Sequence, residues 1–217
     1  MATIRDTEQE KQAAAAAAAA LVEDGMLVGL GTGSTVAYLL EALARRSLDL
    51  RCVATSPRTE AAGLELGLRI EPFEGLDRLD IAIDGADQIN PACWVVKGGG
   101  AAHTREKIVA AAADRFVVIA SSDKLVEAIA PPIPLELLAY GLDATLRRIG
   151  QVELRDTSPS PDGGVIADYV GPVDDPGDLS ARLAETPGVV EHGLFPPALV
   201  SEVFVARGGQ VERLAPI

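Results

Sequence analysis

Apolar residues fall along the chain in short solid runs separated by amphipathic stretches. That is the pattern of buried parallel strands alternating with helices. Met26–Leu30, Arg51–Ala54, Leu79–Ile83 and Phe116–Ala120 read as buried strands, with a shorter one over Leu68–Ile70 and an apolar segment at Cys93–Val96. Residues 5–24, 36–44 and 60–66 read as helices. The first contains eight consecutive alanines, Ala13–Ala20. Alanine has the best helix propensity and little to bury, so this helix is expected to pack closely on a neighbour. Asp6 or Thr7 is its expected cap and Gly25 its stop. Ser56 with Glu60, or Thr55 with Thr59, is the expected cap pair of the third helix.

The pattern changes at Pro131-Pro132-Ile133-Pro134. Beyond it the order is strand (133–139), helix (141–149), strand (151–156), a turn rich in Ser, Pro, Asp and Gly (157–164), strand (165–169), helix (178–185) and strand (189–195). This is the β-α-β-β-α-β order of a ferredoxin-like unit. Ser201–Ala206 then reads as a strand returning to the first sheet, and Val211–Leu214 closes the chain after a Gly208-Gly209 turn. The predicted fold is α/β. A Rossmann-like open-sheet domain (1–130 plus 200–217) carries a smaller ferredoxin-like α+β domain (131–199) inserted before the C-terminal strands.

Charge narrows the chemistry. With 19 Lys+Arg against 32 Asp+Glu in 217 residues, the formal charge is −13, which excludes an extended nucleic-acid surface. A small anion still needs only a local group of cations. Of the lysines Lys11, Lys97, Lys107 and Lys124, three lie between residues 97 and 124. Cys52 and Cys93 are far apart in apolar stretches and read as buried thiols in a reducing cytoplasm. No apolar run approaches the ~20 residues of a membrane span. A cytoplasmic enzyme without membrane contact is expected.

Candidate chemistry clusters at predicted strand ends. Gly31-Thr32-Gly33-Ser34-Thr35 joins a strand to a helix and reads as an anion-binding turn lined with hydroxyls. A dinucleotide site fits less well. The glycine spacing is irregular, and the second strand ends in Thr55-Ser56 where a ribose-binding acid is needed. Asp84-Gly85-Ala86-Asp87 ends the next strand; its two aspartates can serve as an acid/base pair, as acceptors for sugar hydroxyls, as metal ligands, or simply as turn caps. Lys97-Gly98-Gly99-Gly100 precedes a helical run carrying Glu106. A carboxylate base beside a cation is what proton abstraction next to a carbonyl needs. Taken alone, the segment reads first as a flexible loop before a solvated helix, and the rest of the chain shifts that balance. Lys124 follows the strand at Phe116–Ala120 and reads as a further anion contact.

In this order the four motifs resemble the ribose-5-phosphate isomerase A family. Thr55-Ser56, Thr59-Glu60, Pro187-Gly188-Val189-Val190 and Gly193-Leu194-Phe195 match it in place as well. The resemblance implies an aldose–ketose isomerase of the non-oxidative pentose phosphate pathway that interconverts ribose 5-phosphate and ribulose 5-phosphate without metal or cofactor. It implies that Glu106 is the base that moves a proton through an enediolate and that Lys97 is the cation beside the oxyanion. Asp84 and Asp87 match residues that handle hydroxyls and ring opening. Thr32, Gly33, Ser34, Thr35, Gly85, Ala86, Gly98, Gly99, Gly100 and Lys124 match substrate and phosphate contacts. A small-molecule sugar phosphate is thus the expected partner, and a homodimer or homotetramer the expected assembly. Gln88 stands where the family usually has glutamate and His103 where leucine is common. Ser122-Asp123 before Lys124, residues 155–165 and Pro196-Pro197-Ala198 also depart from its pattern.

Competing readings are an amino-sugar phosphate deaminase or coenzyme A transferase relative, a non-catalytic sugar-phosphate sensor, and a nicotinamide dehydrogenase. Lys97 paired with Glu106 fits isomerisation better than transfer, and a sensor has no use for the base.

Overall fold

A computed structural model describes residues 4–216. The first half of the chain runs α1 (Ile4–Ala19), β1 (Leu27–Leu30), α2 (Ser34–Arg46), β2 (Arg51–Ala54), α3 (Pro57–Glu65), β3 (Ile81–Gly85), β4 (Gln88–Ile89), β5 (Val95–Val96) and α4 (His103–Ala112). It continues with β6 (Phe116–Ser121), a 3-10 turn at Ser122–Lys124, β7 (Ile133–Leu137), α5 (Leu142–Ile149), β8 (Val152–Leu154), β9 (Val165–Tyr169) and α6 (Pro176–Ala184). Last come β10 (Val189–His192), β11 (Leu194–Phe195), a 3-10 turn at Pro197–Leu199, β12 (Glu202–Arg207) and β13 (Gln210–Leu214).

The central sheet has the order β13-β12-β6-β3-β1-β2. All neighbours are parallel except β13, which closes one edge antiparallel to β12. Its central strands are buried on both faces, which is why they read as unbroken apolar runs. One face packs on α1 and α2 through Ala14, Ala15, Ala18, Leu39, Leu40 and Leu43. The opposite face packs on α4 and the short strands, with Val109, Phe116, Val118 and Phe195 at the centre. As expected, the alanine helix packs closely. Its small side chains bury little area each, and Glu10 adds polar anchorage by accepting from Ser122 N–H (2.9 Å), Ser122 hydroxyl (2.8 Å) and Gly208 N–H (3.3 Å).

A second sheet, β10-β7-β9-β8, is antiparallel throughout and has α5 and α6 between its strands in sequence. This is the ferredoxin-like arrangement. A small third sheet, β11-β5-β4, lies between the other two in connectivity.

Local differences from the sequence reading have identifiable causes. Leu68–Ile70 forms no strand; it contributes one bridge, Ile70 to Cys52. Asp6 and Thr7 lie within α1, which begins earlier, at Ile4, and the helix stops at Ala19. There the Arg46 guanidinium donates to the carbonyls of Ala19 and Val22, taking over the acceptors that another helical turn would use. In α3, Ser56 is the cap, accepting from Thr59 N–H at 3.2 Å, with Pro57 opening the helix. The strand expected over 189–195 divides at Gly193, where the chain passes from the second sheet to the third. No helix among the described residues is long and apolar enough to cross a membrane.

Candidate active site

Parallel strands deliver their loops to one edge of the sheet, and the carboxyl ends of β1, β3 and β6 meet there. After β1, Gly31–Thr35 turns directly into α2. Gly33, at φ 130°, precedes the first helical residue, and no side chain caps the helix. The N–H groups of its first turn therefore stay available to an anion. Beneath the loop, the Thr32 hydroxyl lies 2.9 Å from both Thr55 Oγ1 and Ser56 Oγ and 3.3 Å from Thr59 Oγ1. Thr59 in turn donates to Gly31 O at 2.8 Å. This hydroxyl cluster ties the anion loop to the start of α3.

At the end of β3, Asp84 is buried and points back under the loop. Its Oδ1 accepts from Thr32 N–H (3.0 Å) and Gly85 N–H (2.7 Å). Gly31 is required here because a Cβ on it would overlap the Asp84 carboxyl group. The other oxygen, Oδ2, lies 2.9 Å from Lys97 Nζ. Lys97 also donates to Gly85 O at 2.7 Å and lies 3.2 Å from Glu106 Oε2. Asp84, Lys97 and Glu106 are 2%, 3% and 4% exposed, so this triad is effectively out of water.

One cation shared by two buried carboxylates sets the protonation of all three. Burial, then the charge of Asp84, push the Glu106 carboxyl up to about 8, with Lys97 opposing. Burial also raises Asp84, again against Lys97. For Lys97 burial works against the charge, but Asp84 and Glu106 outweigh it and push the ammonium up to about 12. The lysine is thus permanently charged near neutrality, while Glu106 is poised to exchange a proton.

Asp87 lines the cavity from the opposite side. Its Oδ2 accepts from Gly99 N–H at 2.8 Å, and its own N–H donates to Val96 O at 2.8 Å. The glycine segment is confined. Gly98 has φ 107°, and a side chain there would meet Pro134 and His103. Ala101 follows with φ 60°, and α4 begins at His103 with no side-chain cap. Glu106 therefore stands in the first turn of α4 and faces inward.

These elements enclose a cavity of about 150 Å³. It is lined by Thr32, Gly33, Ser34, Thr35, Gly85, Ala86, Asp87, Lys97, Gly98, Gly99, Gly100, Glu106 and Lys124, all singled out from the sequence, and by Lys11. Asp84 lies behind Lys97 and outside the lining. Lys11 escaped the sequence reading because the alanine run around it gives no clue to which face of α1 meets the site. Here Glu8 holds it at 2.7 Å, and Glu8 is itself fixed by the Tyr38 hydroxyl at 2.7 Å. Three of the chain's lysines, Lys11, Lys97 and Lys124, thus meet in one small cavity.

A wider cavity of about 630 Å³ lies beside α3 and α4, with Val53, Ile70, Phe73, Leu76 and Ile108 in its wall. Among the described residues its only lining cation, Arg105, is engaged by Asp162 at 2.7 and 2.8 Å. It therefore lacks an anion cradle. Among the described residues no three His, Cys, Asp or Glu side chains are grouped to hold a metal ion.

Two departures noted in the sequence take definite places. The Gln88 amide donates to Ala130 O (2.7 Å) and accepts from Ala130 N–H (2.9 Å), a double contact that a glutamate, lacking the donor, cannot make. His103 has Nε2 3.4 Å from Glu191 O and, among the described residues, no partner for Nδ1.

A buried carboxylate–lysine–carboxylate triad under a helix-terminal anion loop defines an α/β enzyme for a small phosphorylated substrate. Comparison with known proteins narrows the class. Residues 51–210 match the family described as ribose 5-phosphate isomerase A (phosphoriboisomerase A). The ribose-5-phosphate isomerase A of Methanosarcina acetivorans is 44% identical over 212 residues, covering 90% of this chain and 89% of its own. The crystal structure of the Neisseria gonorrhoeae ribose 5-phosphate isomerase A superposes with a TM-score of 0.92 at 30% identity, over 98% and 99% of the two chains. A D-ribose-5-phosphate isomerase in complex with phospho-erythronic acid gives 0.90 at 32% identity, over 96% and 99%. The chain belongs to the ribose-5-phosphate isomerase A family.

Proposed function

We propose that this chain interconverts D-ribose 5-phosphate and D-ribulose 5-phosphate by proton transfer through an enediolate. The observation that carries the reading is Lys97 placed between Asp84 and Glu106 in the wall of a cavity rimmed by Ser34, Thr35, Lys11 and Lys124. The phosphate is received by the α2 N-terminus and the Lys11 and Lys124 ammonium groups. Asp87 accepts from the sugar hydroxyls and assists ring opening. Glu106, as the carboxylate, takes the proton from C2 of the open-chain aldose. The C2–H electron pair becomes the C1–C2 double bond, and charge moves onto the C1 oxygen. Lys97 offsets that charge in a site shielded from water, where such stabilisation is strongest. After a proton shifts from the C2 to the C1 oxygen, Glu106 returns its proton to C1 and the C2 carbonyl forms. Asp84 keeps Lys97 charged and in place. The reading supports a place in the non-oxidative pentose phosphate pathway. It takes residues 131–199 as a separate domain and the working assembly as a homodimer or homotetramer.

The test is conversion of ribose 5-phosphate to ribulose 5-phosphate, with and without a strong chelator, beside Glu106→Gln. Turnover insensitive to chelator, and reduced in the variant by roughly two to four orders of magnitude, is the expected result. A variant that keeps its turnover sinks the assignment of the base. An unaltered protein that binds ribose 5-phosphate and does not convert it sinks the reaction.

A further inference from the structure

The Lys97–Gly100 segment is gripped from outside the central sheet by a side chain that is not itself part of the cavity lining. Arg155 follows β8, and its N–H pairs with Ile166 O on β9 at 3.0 Å. Its guanidinium makes a two-pronged pair with Asp168 of β9, Nε to Oδ2 at 2.7 Å and Nη2 to Oδ1 at 2.6 Å. The remaining prong, Nη1, donates to Gly98 O at 2.9 Å and lies 3.4 Å from Gly99 O.

Gly98 C=O and Gly99 N–H belong to one planar peptide unit and point in opposite directions. Arg155 holds the carbonyl, and the N–H donates to Asp87 Oδ2 at 2.8 Å. Turning this peptide over would aim a carbonyl oxygen at the Asp87 carboxylate. Glycines on both sides leave the backbone free to make that turn, since no side chain resists it. Something other than local sterics must choose the orientation, and a charged donor anchored by its own carboxylate does so.

We propose that Arg155, fixed by Asp168, is a positioning residue that orients the Gly98–Gly99 peptide and through it the Asp87 carboxylate in the cavity. This rests on the isomerase reading for its effect on turnover, though not for its effect on structure. The second sheet thereby contributes to the site without placing a side chain in the cavity. Arginine suits the task because its rigid fork satisfies a carboxylate and a carbonyl at once; lysine offers a single point donor.

The structural test is the Gly99 amide resonance in protein labelled with 15N-glycine, for the unaltered chain and for Arg155→Lys and Arg155→Gln. A hydrogen bond to a carboxylate moves that proton downfield. The Gln variant is expected to lose the shift and Lys to retain part of it. The kinetic test is a double-mutant cycle with Asp87→Ala. Arg155→Gln alone is expected to lower kcat/KM roughly ten- to a hundredfold, with the pH dependence set by Glu106 unchanged. In the Asp87→Ala background it should add little further loss. A Gly99 resonance unmoved in both Arg155 variants overturns the proposal. So do losses from Arg155→Gln and Asp87→Ala that multiply in full. Should the Gln variant not fold, the Lys variant carries the same tests. Absence of turnover in the unaltered protein overturns the isomerase reading instead, and the Gly99 resonance then decides the positioning role by itself.

Discussion

Glu106 Oε2 lies 3.2 Å from Lys97 Nζ, an ion pair without an aligned hydrogen bond, and no other described residue donates to it. The ammonium donates to Gly85 O and pairs with Asp84. A carboxylate fully engaged by lysine is a weak base. This one feels the positive charge yet keeps an oxygen unclaimed, which is the state a proton acceptor needs before substrate arrives.

The rate should follow the ionisation of that carboxyl. Burial and Asp84 push Glu106 up to about 8, and the base acts only when deprotonated, so kcat/KM should climb with pH and level off above that value. Because the folded value exceeds the ordinary 4.5, the folded chain holds an extra proton between the two. This group therefore makes folding less favourable as pH rises across that window. A profile of kcat/KM against pH checks the first statement; a limb near 4.5, or none between 6 and 9, contradicts it.

Gly31 and Gly33 should fail differently when replaced by alanine. At Gly31 the added carbon strikes the Asp84 carboxyl group, whereas at Gly33 it meets nothing but must adopt φ 130°. Gly31→Ala should displace Asp84 from Lys97 and abolish most turnover, with a loss of stability on the order of 1–3 kcal/mol. Gly33→Ala should cost comparable stability through backbone strain and act chiefly on KM, by disturbing the α2 N-terminus. Equal kcat losses in the two variants would refute the distinction.

Lys11 is the residue added by the fold. Lys11→Met should raise KM about tenfold and leave kcat within a small factor, because a phosphate contact serves ground and transition states alike. The effect should shrink as salt is added. Initial-rate kinetics at two ionic strengths measure both; a fall in kcat with unchanged KM removes Lys11 from the phosphate end.

Acid should destabilise the fold through its two histidines. Burial lowers His103 to about 4 and His192 to about 3, from 6.5. The unfolded chain therefore binds their protons first, and stability drains away as pH falls from 6.5 through those values. His103→Leu should flatten this decline. It also removes a buried nitrogen without a partner, which should raise stability at neutral pH by about 1 kcal/mol. Urea unfolding at pH 7 and pH 4.5 tests both, and an unchanged difference between the two pH values would dismiss the His103 contribution.

Most of the central sheet was legible because strands buried on both faces leave solid apolar runs, as Phe116–Ala120 does. The ferredoxin-like order was legible from turn residues and alternating elements. Leu68–Ile70 misled because two apolar residues flanking Arg69 carry no information about a partner strand. The two-residue strands β4 and β5 are too short to leave a period at all. Chemistry at strand ends was legible since topology alone brings such ends together, and the cavity lining follows from it. Two things were not: the depth of Asp84, hidden behind Lys97, and the reach of α1, whose alanines conceal its orientation. Long-range partners such as Arg155 and Gly98 leave no trace in local pattern either.

Gly193 O accepts the Lys97 N–H at 2.9 Å, and Gly193 N–H donates to Pro134 O at 2.7 Å. A Cβ on Gly193 would overlap the Lys97 carbonyl. The backbone that carries the lysine is thereby tied to the second sheet as well as to the third. Any displacement of the second sheet from the third would pass through these contacts and so reach the lysine that Asp84 and Glu106 share.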